Sequence, residues 1–406
     1  MMGLALALQT RGHEVTLATS AYYARMAEYL GLAFEPFGTE EQFRDSMRHP
    51  DLWHPRRSFA HLFRTLDQAR EAQYELFARW HREGPFAGVA NCLCFAAKTA
   101  SEKFDFPLIT AHIQPAVLWS DIKPPKLPGL FGSRWLKKFI VRLGEKLYID
   151  PLALPTLNRW RTELQLPPIE RLTSWWHSRD GVLGMFPEWY APPQTDWPQP
   201  LELTDFPLWN FQNQTHMPDE VIRFLDSGEP PIVFTPGSAN LQARPFLQTA
   251  VETCTRLGRR GILLTEFDEH LPKNMPTTVA RFSYVPLDLL LPHCSAIVHH
   301  GGIGTASQGM LAGIPQLIMP MAYDQFDNAE RLRELGVGSA VPVHAFQPAR
   351  VARTLHALLS HPDTATQCKS VAQKLSRRDG LERSAQAVER LVTRAMEKRR
   401  RTIAGR

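Results

Sequence analysis

A turn rich in histidine and glycine, reading HHGGIGT at 299–305, is the part of the sequence best suited to chemistry. The apolar run at 296–298 predicts a buried strand before it, and the spacing of 304–311 predicts a helix after it. The first N–H groups of a helix lack backbone partners and lie at the positive end of its dipole, so they attract anions. Glycine has no Cβ to keep a phosphate away from the backbone. We therefore predict a phosphate site at Gly302 and Gly304, with His300 and Thr305 as additional donors.

Polar side chains on either side of the next predicted strand, 316–321, are suited to hydroxyl groups. Gln308 lies one helical turn beyond the phosphate site, within reach of a ribose hydroxyl. Asp324 and Gln325 belong to a predicted polar loop at 323–328, at the edge where open α/β sheets bind ligands. A carboxylate accepts hydrogen bonds and an amide both donates and accepts them, so the pair suits the hydroxyl groups of a sugar.

The same residues have simpler explanations. A short Gly-x-Gly turn also serves NAD, but no acidic residue closes a following strand at the spacing of a dinucleotide fold. His299 and His300 are adjacent and point to opposite sides of the chain, which disfavours a shared metal ion. We predict that one is a packed structural histidine and that His300 is the phosphate ligand. Asp324 is otherwise a plain loop carboxylate.

Predicted strands and helices alternate along the whole chain, and these elements must position the residues described above. Such alternation predicts an α/β fold with parallel sheets. The predicted first domain covers 1–207 and includes a long helix at 58–80 and strands at 88–95 and 108–113. A polar linker follows at 208–231. The second domain covers 232–379, and a last helix with a basic tail, 380–406, is expected to cross back onto the first domain.

Composition excludes several classes of function. The formal net charge is +5, but the tail from Thr393 onward holds six of the 46 basic and one of the 41 acidic residues, which leaves the rest without net charge. A nucleic-acid partner is therefore not expected. The tail is predicted to be a frayed, solvated end, with attraction to an anionic membrane as the alternative.

Five cysteines without a C-x-x-C pair indicate a reducing compartment and no structural zinc. No apolar stretch reaches the length of a membrane span, so a cytoplasmic location is expected, with the inner face of the membrane as the alternative.

The stretch 296–328 resembles the nucleotide-sugar motif of GT-B glycosyltransferases of the UDP-glycosyltransferase superfamily. The shared features are the His-x-Gly turn at His300, a hydroxyl at Thr305, a polar side chain at Gln308, Gly-Ile-Pro at 313–315, and Asp-Gln with a following Asn at 324–328. The resemblance implies two Rossmann-like domains facing across a cleft, with the donor held by the second domain.

The resemblance also implies roles for individual residues. His300 and Thr305 would contact the diphosphate, Gln308 the ribose, and Asp324 with Gln325 the donor sugar. The chain has Gly304 where plant members carry Asn, and Gln308 where Glu is frequent. Three further donor contacts are implied, namely the turn at Gly237 and Ser238 beside the diphosphate and the backbone at Val285 beside the base.

Within this superfamily the chain resembles the rhamnosyltransferase B chains of rhamnolipid synthesis, notably over 175–200 and 324–332. This likeness implies transfer of rhamnose from dTDP-rhamnose to a hydroxy-fatty-acid dimer. His112 and Gln114, which close the strand at 108–113, are candidates for the acceptor, while a strand-end histidine held by the backbone is the alternative. The proline-rich stretch 121–131 and the basic, apolar stretch 135–147 are interpreted either as an acceptor flap or as a plain surface helix.

The chain opens on a helical pattern at 1–10, whereas a doubly wound domain normally begins with a central strand. We expect the encoded product to start upstream of Met1, so that the first domain here lacks its first strand. The resemblance places the catalytic base, a His or an Asp, in the loop after that strand, and none of the 406 residues is assigned this role. Because a general base contributes about 10²–10⁴-fold to the rate, transfer by this chain would be impaired.

The sequence thus predicts an inverting, metal-independent hexosyltransferase that uses a dTDP- or UDP-sugar as co-substrate, without a cofactor, and a hydrophobic or lipid acceptor. Peripheral contact with a membrane is compatible with such an acceptor. Two alternatives remain, namely a non-catalytic nucleotide-sugar-binding partner protein that has lost its base, and an NAD-linked oxidoreductase.

Overall fold

A computed structural model of the chain describes residues 1–54, 57–126, 130, 132–209, 216–237, 243–375 and 379–404. The described residues divide into two compact units. Unit 1 combines those of 1–207 with those of 379–406, and unit 2 comprises those of 208–378.

Unit 1 has parallel sheets covered by helices. Its strands are β1 (Thr16–Thr19), β2 (Ala33–Pro36), β3 (Gly88–Ala90), β4 (Leu108–His112), β5 (Val182–Gly184) and β6 (Leu201–Leu203). Its helices before the linker are α1 (Met2–Thr10), α2 (Ala24–Tyr29), α3 (Glu40–Arg48), α4 (Ser58–Glu83), α5 (Phe95–Phe104), α6 (Arg134–Gly144), α7 (Asp150–Glu163) and α8 (Leu172–Trp175). Within the described ranges, β1 pairs with β2 alone, and β3 to β6 form a second sheet in chain order.

The last helix, α16 (Gly380–Ala404), belongs to unit 1 although it follows unit 2 in sequence. Its Val388 and Leu391 are buried in one cluster with Leu4 of α1 and Ile109 of β4. Burial of such aliphatic side chains contributes about 1.5–3 kcal/mol each, which explains why the helix packs on this unit. The predicted fraying of the tail is wrong for the described residues, because the helix continues to Ala404 and Arg399 donates to the Asp180 carboxylate at 2.8 and 2.9 Å. The predicted exposure to solvent is confirmed for Lys398, Arg400 and Arg401.

Unit 2 is a doubly wound α/β unit. Its strands are β7 (Ile232–Thr235), β8 (Gly261–Leu264), β9 (Val279–Phe282), β10 (Ala296–His299), β11 (Gln316–Ile318) and β12 (Gly338–Ala340). Its helices are α9 (Asp219–Asp226), α10 (Arg244–Leu257), α11 (Leu287–Leu290), α12 (Ile303–Ala312), α13 (Gln325–Glu334), α14 (Pro348–Ser360) and α15 (Pro362–Leu375). Among the described residues the parallel sheet has the order β12-β11-β10-β7-β8-β9. The strand order therefore reverses between β7 and β10, and such a switch point opens a crevice at the carboxyl ends of the two strands.

Two predicted segments differ from the structure. The strand predicted at 88–95 ends at Ala90, because the Asn91 side chain accepts a hydrogen bond from the backbone N–H of Leu93 (2.9 Å) and turns the chain toward α5. The polar loop predicted at 323–328 is wrong from Gln325 onward, where α13 begins. Its polar residues Gln325, Asp327 and Asn328 are buried. They are satisfied within the helix, as in the ion pair of Asp327 with Arg331 (2.6 Å), or by nearby backbone outside it.

Candidate functional site

Two glycine turns lie side by side at the switch point of unit 2. Strand β10 pairs with β7 so that His299 stands beside Thr235. Each strand then turns at a glycine with a left-handed backbone, Gly237 (φ 96°) and Gly301 (φ 98°). A residue with a side chain would be strained at either position, so glycine is what allows both strands to end in this way.

The imidazole of His300 fills the space between these turns. A Cβ on Gly237 would lie 2.7 Å from Nδ1 and Cε1 of His300, and a Cβ on Gly302 would lie 2.5 Å from its Nε2. Burial lowers the pKa of His300 to about 4, so the ring is neutral at pH 7. A neutral imidazole still carries one N–H group and can donate a hydrogen bond to a phosphate oxygen.

His299, by contrast, is buried and makes its hydrogen bonds to other residues of the protein. It is fully buried, and its Nδ1 accepts a hydrogen bond from the backbone N–H of Gly301 (3.1 Å). The proton must therefore sit on Nε2, which donates to Oε1 of Gln316 (3.0 Å). Burial lowers the pKa of His299 to about 3. This histidine has the structural role predicted for one member of the pair, and Gln316, not singled out from the sequence, fixes its orientation.

The first turn of α12 leaves room for a ligand. Gly302 is the N-cap residue and supplies no side-chain cap, so the first N–H groups of the helix depend on other partners. Gly304 is exposed, and a Cβ added there would meet nothing within 4 Å. Thr305 and Gln308 are half-buried on the same helix. The Oε1 atom of Gln308 is buried and has no hydrogen-bond partner among the described residues, which is rare unless a ligand or water completes the site.

A buried amide network connects this turn to the start of α13. Nδ2 of Asn328 donates to the carbonyl oxygen of Gly301 (3.0 Å) and to Oδ2 of Asp324 (2.7 Å). Burial raises the pKa of Asp324. Oε1 of Gln325 accepts hydrogen bonds from the backbone N–H groups of Met321 (2.7 Å) and Ala322 (3.1 Å). Since this oxygen is used by the backbone, a contact of Gln325 with a sugar would come from its amide nitrogen.

The remaining donor positions have different surroundings. The side chain of Val285 is buried in the core of unit 2, so only its backbone could contact a base, as the resemblance implies. Ser238 lies outside the described residues.

Tyr323, which the sequence did not single out, has a left-handed backbone (φ 57°) one residue before Asp324. Such backbone strain in a residue other than glycine occurs mainly at functional sites and tight turns. No sequence pattern predicts it.

The two acceptor candidates lie in unit 1. His112 is buried, and its Nε2 lies 3.1 Å from Nδ1 of His177, whose Nε2 accepts a hydrogen bond from Trp176 (2.8 Å). Burial lowers the pKa of His112 well below its usual value and that of His177 to about 3. His112 is thus part of a packed network, while Gln114 is half-buried before a short 3-10 turn, Pro115–Val117. An acceptor role for either residue stays a prediction.

Two general features of the described ranges bear on ligands and membranes. No group of three or more His, Cys, Asp or Glu side chains is placed there so that it could hold a metal ion. None of the helices in those ranges combines the length and the apolar character needed to cross a bilayer.

The sequence profile of the family "Erythromycin biosynthesis protein CIII-like, C-terminal domain" matches residues 261–389, a range that contains α12 and the start of α13. Two sterol 3-beta-glucosyltransferases of Arabidopsis thaliana are each 24% identical to the chain, over 96% and 94% of its length. The chain spans only 65% and 61% of these two relatives. Glycosyltransferase GtfC of Amycolatopsis orientalis is 26% identical, over 94% of the chain and 91% of its own length.

Solved structures with the same fold cover nearly the whole chain. The glycosyltransferase of kitacinnamycin has a TM-score of 0.75 at 20% identity, covering 96% of this chain and 95% of its own. VinC in complex with dTDP has a TM-score of 0.68 at 22% identity, covering 98% and 96%. The spinosyn rhamnosyltransferase SpnG complexed with thymidine diphosphate has a TM-score of 0.67 at 18% identity, covering 96% and 95%. The α/β fold with parallel sheets predicted from the sequence is confirmed as that of these glycosyltransferases.

Proposed function

We propose that this chain is a glycosyltransferase of the GT-B superfamily that transfers a hexose from a nucleotide-diphosphate sugar to a hydroxyl group of a hydrophobic acceptor, a proposal supported by the family profile, the relatives and the shared fold. The observation that carries the proposal is the neutral imidazole of His300, packed between Gly237 and Gly302 at the open start of α12. The N–H group of the ring and the first N–H groups of the helix, which have no side-chain cap, favour a diphosphate as ligand.

The substrate classes follow from the same site and from the relatives. Gln308, with its buried oxygen lacking a protein partner, is the proposed ribose contact, and Asp324 with Gln325 the proposed sugar contact. The thymidine diphosphate bound in two structures of the same fold supports dTDP as the nucleotide, with UDP as the alternative. Rhamnose and glucose are the proposed sugars, since relatives and structural neighbours include rhamnosyltransferases and glucosyltransferases. The sterol glucosyltransferases support an apolar acceptor.

The proposed reaction is an inverting displacement that needs no metal ion and no cofactor. The acceptor oxygen forms a bond to the anomeric carbon, the bond from that carbon to the diphosphate oxygen breaks, and the acceptor proton passes to a general base. We assign this base to none of the described residues. The helix dipole stabilises the negative charge on the departing diphosphate by about 0.3–2 kcal/mol. Hydrogen bonds from His300 and from backbone N–H groups must supply the remaining stabilisation of this leaving group.

The test is donor binding and turnover by the variant His300→Ala. Calorimetric titration with dTDP and UDP measures binding without requiring the base. Mass spectrometry then follows nucleotide released from dTDP-rhamnose or UDP-glucose in the presence of a hydroxy-fatty acid. We expect at least about tenfold lower turnover, the loss of one donor to a developing anion.

His300→Gln, which keeps an N–H group, should recover part of the loss and so distinguish a hydrogen bond from a packing effect. Unchanged kinetics in His300→Ala would remove His300 from the site. Nucleotide binding without any turnover in the wild-type chain would favour the non-catalytic binding protein instead.

A further inference from the structure

Helix α6 and the π-helical turn after it, Glu145–Ile149, expose an unusual set of apolar side chains. Trp135 is 72% exposed, Phe139 59% and Leu147 67%. Leu136, Ile140 and Leu143 are exposed by 37–41%. Their spacing of three and four residues puts them on one side of the helix, which we call the α6 stripe. Contiguous exposed apolar surface of this kind marks an interaction site.

The opposite side of α6 is fixed to unit 1. Val141, Glu145 and Ile149 are buried there, again four residues apart. The Glu145 carboxylate accepts hydrogen bonds from Arg171 (2.9 Å from Nε) and from the hydroxyl of Thr173. A surface helix normally turns its apolar side to the core and its charges to water. This helix is anchored through a buried carboxylate and turns its apolar side outward.

The segment that carries the stripe is rich in basic residues. The segment 121–147 contains two acidic residues, Asp121 and Glu145, against the basic residues Lys123, Lys126, Arg134, Lys137, Lys138, Arg142 and Lys146. Asp121 pairs with Lys138 (3.0 Å) and with Arg142, and Glu145 is buried with Arg171. Among the described side chains of this helix and its π-helical turn, Lys137 and Lys146 have no acidic partner, so positive charge remains beside the apolar side chains, in a chain whose formal net charge is only +5.

We propose that α6 docks unit 1 onto an anionic lipid bilayer, with Trp135, Phe139 and Leu147 in the boundary between headgroups and acyl chains. Helices that lie in a membrane interface have this combination of an aromatic and apolar side with flanking lysine and arginine. Anionic headgroups attract such residues by about 1 kcal/mol each near the surface. A second copy of the chain fits the stripe less well, because it would bring two equally basic surfaces together.

The experiment is co-sedimentation of the full chain with lipid vesicles and without any sugar donor, so its outcome is independent of the proposed glycosyl transfer. Vesicles of phosphatidylcholine with about one-third phosphatidylglycerol should bind the chain at low salt, and pure phosphatidylcholine should bind it weakly. The variant Trp135→Gln, Phe139→Gln, Leu147→Gln should partition at least about tenfold less, since it removes the side chains that enter the interface. All three positions are more than half exposed, and circular dichroism verifies that the variant is folded.

Two matched variants control for non-specific effects. Val343→Gln with Ile403→Gln removes exposed apolar side chains elsewhere (53% and 75% exposed) and should bind like the wild type. Lys398→Gln, Arg400→Gln, Arg401→Gln lowers the charge of the C-terminal helix and should keep most of the binding. Loss of binding in this last variant but not in the stripe variant would overturn the proposal. So would a wild-type dimer that fails to bind vesicles and that the stripe variant converts to a monomer.

Discussion

His299 and His300 are neighbours in sequence with different chemistry, and the difference comes from residues far away along the chain. Gln316 on the next strand orients His299, while Gly237 and Gly302 leave the space that His300 occupies. The sequence predicted that adjacent histidines diverge and that one is structural, because successive side chains of a strand point to opposite faces. The assignment of His300 to the phosphate came from its place in the glycine turn and from the resemblance, and the neutral state of its ring required the folded structure.

A substitution at Gly304 should separate an effect on folding stability from an effect on nucleotide affinity. Gly304→Ala adds a Cβ in open space on a helix, so stability should be unchanged or higher by up to about 1 kcal/mol. If a diphosphate lies against this backbone, the same methyl group should weaken dTDP binding by about tenfold or more, because small displacements are costly at such sites. Thermal unfolding and calorimetric titration measure the two effects.

Gly144→Ala is the matched control, since it also adds a methyl group in open space at a helix end, but in unit 1. It should leave nucleotide affinity unchanged. Equal affinity of the wild type and Gly304→Ala would show that the diphosphate does not approach the backbone at this position.

Among the elements, the strands of unit 2 could be predicted well, α13 could not, and a helix at α6 was one of two interpretations left open. Buried parallel strands are short apolar runs, and the run predicted as a strand at 296–298 agrees with β10. The start of α13 contains Asp324, Gln325, Asp327 and Asn328, a composition typical of loops. These side chains satisfy one another or nearby backbone inside the fold, which only tertiary contacts reveal.

The apolar face of α6 shows a second limit of prediction from sequence. Spacing identifies an amphipathic helix but not which side is buried, because the usual rule assumes that apolar residues point inward. The sequence allowed two interpretations of 135–147, an acceptor flap or a plain surface helix. The structure has a helix there over Arg134–Gly144. The buried Glu145, paired with Arg171, is the residue that reverses the usual arrangement.

Asn328 connects α13 to the turn after β10, and its loss should affect both. Asn328→Ala leaves the carbonyl oxygen of Gly301 and the carboxylate of Asp324 without this donor in a buried site. We expect a loss of about 1–3 kcal/mol in the free energy of unfolding, together with weaker nucleotide binding because the turn beside His300 is no longer held. Urea unfolding and titration with dTDP measure these changes.

Asn328→Asp is the informative comparison, since it keeps the shape but replaces the donating amide by an acceptor facing Asp324. It should be at least as damaging as Asn328→Ala. Full stability and full nucleotide affinity in both variants would contradict the proposed role of this side chain.

Across the described part of the molecule, histidines whose pKa is lowered by burial make stability depend on pH. The folded pKa is lowered by burial to about 3 in His299 and His177, to about 4 in His300, and well below the usual value in His112. Unfolded histidine takes up a proton near pH 6.5. Between these values the unfolded chain binds more protons, so stability is full above about pH 6.5 and falls as the pH drops toward 3–4.

Urea unfolding at several pH values between about 7.5 and 5 tests this prediction above the range where carboxylates titrate. The midpoint should fall steadily on acidification. His177→Gln, which removes one of these titrating rings, should show a smaller fall between the same pH values. A midpoint that stays constant over this range would refute the prediction.

Unit 1 is assembled from the two ends of the described chain, whereas unit 2 is a single continuous stretch. This division imposes an order on biosynthesis, since domains tend to fold as their residues leave the ribosome. Unit 2 can fold once residue 378 has been made. The surface around Leu4 and Ile109 must wait until Leu391 has been synthesised and can cover it. The half of the protein that is translated first is therefore the half that matures last, and its uncovered apolar surface is what a chaperone would meet on the nascent chain.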